Sequence, residues 1–146
     1  MLMPTEAPSV AAEILLLEQD AAQVVVFEEA TESTHLNVVK ECASILDFLR
    51  RQGKHSEAPR PDLILLDLDL SDKEGCEMLS DIKKDPQLRR IPVVVLAASE
   101  SYEDVFQAYD LHANAYICKP DDRDEFVRVL RATLHFWLAL ARLPRG

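Results

Sequence analysis

The chain of 146 residues has only three glycines, Gly53, Gly75 and Gly146. No phosphate-cradling loop of the G-x-G-x-x-G or G-x-x-x-x-G-K type can be built from them, which excludes most nucleotide-dependent enzyme classes. Cysteine is also short. Cys42, Cys76 and Cys118 are odd in number, widely spaced and without a C-x-x-C pair, so they read as reduced thiols of a cytosolic protein. No apolar run approaches the roughly 18 residues needed to span a bilayer. The opening MLMPTEAPSVAAE lacks the basic region and apolar core of a signal peptide, so the expected location is the cytoplasm. Positive charge is outnumbered, with 16 Lys and Arg against 26 Asp and Glu, a net charge of −10. That sign repels phosphate backbones and anionic lipid, so neither nucleic acid nor a membrane is expected as a partner.

What is present is ordinary globular composition, 48% hydrophobic and 29% charged. The length suits one domain that buries about two-thirds of its unfolded surface. Residues 1–12 read as a flexible N-terminal arm, and 13–146 as a single domain with an extended C-terminal helix. Short apolar runs at Ile14–Leu17, Leu36–Val39, Leu63–Leu66, Val93–Ala97 and Ala115–Cys118 suit strands covered on both faces, as in a parallel sheet. Between them lie helical patterns. One has Ile45, Leu46, Phe48 and Leu49 before Arg50 and Arg51. Another has Met78, Leu79 and Ile82 before Lys83, Lys84 and the Asp85-Pro86 breaker, and a third has Val105, Phe106, Tyr109 and Leu111. Val24-Val25-Val26-Phe27 has the β-branched content of a strand, but its flanks and the strand–helix alternation make it a helix capped by Asp20. Five β–α units with right-handed crossovers give an α/β fold, a doubly wound parallel sheet with ligands at the carboxyl ends of its strands. The last segment, Asp122 to Leu143, places Phe126, Val127, Leu130, Leu134, Trp137 and Ala141 over the sheet. Phe136, Leu138, Leu140 and Leu143 add apolar surface on other sides, which suggests a homodimer.

Two acidic clusters and a lysine end the strands on one rim: Glu18-Gln19-Asp20, Asp67-Leu68-Asp69 and Lys119. Carboxylates at 4 Å repel by about 4 kcal/mol at an effective dielectric near 20, and a hard divalent cation such as Mg²⁺ would relieve them. An aspartate beside such a metal and a lysine can accept a phosphoryl group. Helix caps, solvated loop acids and a surface lysine would give the same spelling, and spacing alone does not separate the two. His35, His55, His112 and His135 have no metal-ligand spacing, and Cys118 reads as small core.

The strings ILLLEQD, PDLILLDLDL, VVVLAAS and AYICKP together resemble the receiver domain of two-component response regulators, over about residues 13–135. RPDLILLDL, RRIPVVVL, AYDLHANAYICKP and FWLALARLP are similar to the single-domain regulators of bacterial phytochrome histidine kinases. The resemblance implies a flavodoxin-like (βα)5 fold with strand order 2-1-3-4-5. It implies Asp67 as phosphoacceptor, and Mg²⁺ held by Glu18, Asp67 and the Asp69 backbone carbonyl, with Gln19 or Asp20 completing the set. Lys119 and the backbone of Ala98 would bind the phosphoryl group, the Lys119–Pro120 bond would be cis, and Tyr116 would be the aromatic switch. The partner would be a histidine kinase, with a homodimer through the final strand and helix, at Phe136, Trp137, Leu138 and Leu140.

Three positions depart from the family pattern. Gln19 replaces the second acidic residue, Ala97 replaces the Thr or Ser that bonds the phosphoryl group, and Ser71 stands where proline is usual. Ser99 is the nearest hydroxyl to Ala97, two positions on. The expectation is therefore a phosphorelay regulator, not an enzyme, with weakened Mg²⁺ and phosphoryl coordination. The alternative is a pseudo-receiver that binds and dimerises without phosphorylation. The D-x-D spelling also resembles haloacid-dehalogenase-type phosphatases, but those carry it on their first strand, whereas two β–α units precede it here.

Overall fold

The computed structural model describes residues 12–144. The expected arm therefore lies outside the described residues except for Ala12, whose carbonyl accepts the His35 N–H at 2.8 Å. The strands are β1 (Glu13–Leu17), β2 (His35–Val39), β3 (Leu63–Asp67), β4 (Val93–Ala97) and β5 (Ala115–Cys118). They form one five-stranded sheet in the order β2-β1-β3-β4-β5, and every pairing is parallel.

Side chains on a strand alternate between faces, and here both faces are dry. Leu15, Leu17, Ile64, Leu66, Val93 and Val95 point to one core, with Ile45, Phe48, Leu79 and Ile82 from α2 (Cys42–Arg50) and α3 (Lys73–Lys84). Ile14, Leu16, Leu63, Leu65, Val94 and Leu96 point to the other, with Phe27 of α1 (Ala21–Ala30) and Phe126, Leu130 and Leu134 of α5 (Arg123–His135). Phe27 and Phe126 meet edge to face with ring centroids 5.5 Å apart, which couples the first helix to the last. The valine-rich segment is thus a helix, started by Asp20 Oδ1 accepting the Ala22 N–H at 2.9 Å.

One expected helix is borne out and one is corrected. In α4 (Tyr102–Asp110) the contact with the core is the fully buried Ala108, while Phe106 and Tyr109 are 65% and 47% exposed. The apolar residues marked the helix but not its buried face. The final helix does not run to Leu143. It changes at His135 into a π turn, Phe136–Leu140, closed by the Ala141 N–H on the Phe136 carbonyl at 2.8 Å, and Ala141 is extended. Ala141 therefore leaves the stripe assigned to it over the sheet, and Leu143, kept out of helix by Pro144, leaves the helix side where it was placed. No helix among the described residues is long and apolar enough to cross a membrane.

Candidate functional site

Parallel pairing brings the carboxyl ends of β1, β3, β4 and β5 to one rim. Asp67, the last residue of β3, sits opposite Leu96 of β4, and Leu17 of β1 pairs with Leu66. The chain then turns away at Glu18, whose N–H stays tied to the Val39 carbonyl at 3.0 Å. Lys119 is held in the same way, its N–H donating to the Ala97 carbonyl at 2.7 Å. From that anchor its Nζ reaches both carboxylate oxygens of Asp67, at 2.7 and 2.8 Å. Both partners are mostly shielded, with side chains 21% and 12% exposed, so the pair is screened far less than a surface bridge.

Glu18 is the third member. It is 6% exposed, and its Oε2 accepts the Asp20 N–H at 3.2 Å, while Oε1 is buried with no hydrogen-bond partner. Burial first, and then the adjoining Asp67 carboxylate, pushes the Glu18 carboxyl up to about 8. A buried acid with an orphaned oxygen beside a second carboxylate fits a hard divalent cation, which would supply the missing partner and the missing charge.

The flanking residues divide. Gln19 and Asp20 are both exposed, and the Asp20 carboxylate is occupied in capping α1. That bond uses Oδ1 and leaves Oδ2. The Asp69 backbone carbonyl already accepts the Asp72 N–H at 2.9 Å, leaving its second lone pair. The Asp69 side chain accepts from both the hydroxyl and the N–H of Ser71, at 2.7 and 2.9 Å, which holds its carboxyl below the usual value. Proline at 71 could make neither bond, so this departure builds a turn of its own.

A cleft lined by Asp67, Asp69, Ala97, Ala98, Ser99 and Lys119 opens over the acceptor. Among the described residues the Ala98 N–H has no partner, so a donor is available there. Ala97 is 2% exposed and brings only a methyl. Ser99 Oγ accepts the Ser101 N–H at 3.1 Å, which ties this hydroxyl to the start of α4 while its own proton stays available to donate. It is the Ser99 carbonyl that matters, because it accepts the Tyr116 hydroxyl at 2.7 Å and holds that ring against the core. Sequence reasoning missed this bond, as nothing in the residue types signals a carbonyl acceptor. The Lys119–Pro120 peptide is trans, not cis as the resemblance implied, for no peptide among the described residues is cis.

At the four positions expected to dimerise, the structure separates what the sequence grouped. Phe136 and Leu140 are 50% and 65% exposed, while Trp137 and Leu138 are partly buried against the α1–α5 core. All three cysteines are free thiols. One further group went unread in the sequence: Cys42, Asp72 and Glu74 bring their donor atoms within 4.8 Å of one another, with Asp72 Oδ1 capping α3 at the Glu74 N–H.

Residues 14–131 match the family model for the response regulator receiver domain. The chain is 36% identical over 135 residues to response regulator Rcp1 of Synechocystis sp., covering 90% of this chain and 92% of that protein. The phosphorylated cyanobacterial phytochrome response regulator RcpA superposes with a TM-score of 0.86 at 39% identity, covering 93% of this chain and all of that one. The Mn²⁺-bound form of Rcp1 superposes at 0.84 with 36% identity, covering 92% of this chain and 99% of that one. The fold and the rim agree with these matches, and the chain belongs to the response regulator receiver domain family.

Proposed function

We propose that the chain is a two-component signalling regulator that accepts a phosphoryl group on Asp67 from a histidine kinase of the phytochrome type. The observation that carries this reading is the Asp67 carboxylate held at both oxygens by Lys119, at the mouth of a cleft and beside the buried Glu18. An Asp67 oxygen attacks the phosphorus of a phosphohistidine. The P–N bond breaks, the imidazole leaves with the electron pair and takes up a proton, and an acyl phosphate forms on Asp67. Lys119 pairs with the acceptor and balances the incoming charge, and the Ala98 N–H donates to a phosphoryl oxygen. Glu18, Asp67, the Asp69 carbonyl and the Gln19 amide oxygen would hold Mg²⁺, which supplies charge neutralisation between carboxylates and phosphoryl group.

Coordination is weaker than in a receiver with two acids and a hydroxyl. Gln19 brings no charge and Ala97 no donor, and each loss costs on the order of 1–3 kcal/mol in the phosphorylated state. A homodimer forms through Phe136 and Leu140 with Trp137 and Leu138 behind them. One observation favours a second reading, a phosphorylation-independent binding module: Tyr116 is already tied to the Ser99 carbonyl with only the Ala97 methyl beneath the cleft. Incubation with Mg²⁺ and a small phosphodonor, and separately with a phosphorylated phytochrome kinase, followed by intact mass, decides between them. A phosphoryl adduct absent from Asp67→Asn supports the acceptor. No adduct from either donor supports the binding module.

A further inference from the structure

The other end of the sheet carries a second charged cavity. It lies between the end of α2, the chain leading into β3 and the loop after α3, over Leu49 and Leu88. Three guanidiniums line it, Arg50, Arg51 and Arg60, against one acid, Asp85. Each guanidinium has five N–H donors, and few are used. Arg51 Nε donates to the Ala58 carbonyl at 2.9 Å, and Arg60 Nη1 to the Gln87 carbonyl at 2.9 Å. Arg50 stands 3.6 Å from Asp85, too long for a hydrogen bond, and Asp85 Oδ1 already accepts the Gln87 N–H at 2.8 Å.

The backbone adds an independent observation. Arg51 closes α2 in the left-handed region, at φ 55° and ψ 48°, where glycine fits without strain. An arginine at that position gives up backbone ease and places a guanidinium at the cavity wall. A pocket of three cations and one anion is short of two negative charges, which matches a phosphate dianion, and the guanidinium forks suit its oxygens. The net charge of −10 on the whole chain repels a long polyanion, so the fit is to a small one.

We infer that the Arg50–Arg51–Arg60 cavity binds a phosphate group, free or carried on a small organic body resting on Leu49 and Leu88. This site is independent of phosphorylation at Asp67, which ends the opposite edge of the same sheet. The test is a backbone-amide NMR titration of the full chain in metal-free buffer at constant ionic strength, with inorganic phosphate, AMP and succinate in separate arms. Saturable shifts at Arg51, Gln87 and Leu88 with a dissociation constant below about 1 mM are expected for phosphate or AMP, and not for succinate. Tighter binding of AMP identifies an organic phosphate as the source, and equal or weaker binding identifies the free ion. Asp67→Asn binds as the wild type does. Arg60→Gln and Arg51→Gly each weaken binding at least about tenfold, while Arg51→Gly keeps or raises the melting temperature because glycine suits that backbone. Shifts that never saturate, equal response to succinate, or binding unchanged in both variants would overturn the assignment and leave only screening of exposed arginines.

Discussion

The buried carboxyl of Glu18 makes stability depend on pH in a direction opposite to that of most acids. In the folded chain it titrates near 8, and in the unfolded chain near its ordinary 4.5. Between those values the folded protein holds a proton that the unfolded chain has released. Unfolding then loses a proton, so stability is full below about 4.5 and falls as pH rises toward about 8. At about 1.4 kcal/mol for each pH unit across that interval, the ceiling is a few kcal/mol. Water entering the open side of the rim lowers this, and about 2 kcal/mol is the expected loss. Glu18→Gln keeps the shape and the acceptor for the Asp20 N–H but cannot titrate. Urea unfolding without divalent cations at about pH 5.5 and about pH 8.5 should therefore show a drop for the wild type and a nearly flat response for Glu18→Gln. Adding Mg²⁺ at the higher pH should recover the wild type more than the variant, since binding to the folded state alone stabilises it. Equal pH slopes in the two proteins would refute the reasoning, by showing that the proton resides elsewhere.

Three further outcomes follow from the geometry. Gln19→Asp should tighten Mg²⁺ about tenfold in calorimetry, and an unchanged affinity would mean that this side chain faces away from the metal. Tyr116→Phe removes a 2.7 Å bond to the Ser99 carbonyl and should lower unfolding stability by about 0.5–1.5 kcal/mol at constant denaturant slope. A midpoint equal to wild type would show that the ring is held by packing alone. Phe136→Ala with Leu140→Ala should halve the mass seen in solution scattering with little loss of stability, whereas Trp137→Ala should also destabilise the fold. A wild type that is monomeric at high concentration would end the dimer reading.

Strands β1, β3 and β4 were legible because both their faces are covered, so each appears as an apolar run, while the edge strand β2 carries Asn37 and is only half-buried. Only the ends shifted, as when β3 took in Asp67 itself. The first helix was harder to read. Val25 is 53% exposed while its neighbours Val26 and Phe27 are buried, so no polar face marks it, and only the alternation of elements placed it. On α4 the apolar residues marked the helix, while a small residue, Ala108, makes the seat and the aromatic rings stay outside. In the site, residue types and strand ends were enough to bring Asp67, Glu18 and Lys119 together. What stayed hidden was decided atom by atom in the loops. Asp20 caps its helix through one oxygen, the Ser99 carbonyl takes the Tyr116 hydroxyl, and one oxygen of Glu18 is left without a partner.

The π turn that ends the last helix has a consequence for how the chain leaves the fold. Its closing bond spans five residues where an α-helix spans four, so the turn carries one residue more than the helix it continues. Deleting a single residue there, Ala139 for example, would let the bond close in the shorter ring. The same N–H would still meet the Phe136 carbonyl, so the chain beyond would keep its bearing. A deletion inside the regular α5, with no surplus residue to give up, would instead turn everything after it by about 100°, the angle of one helical step. The π turn is thus the place in the last helix where a change of length is absorbed.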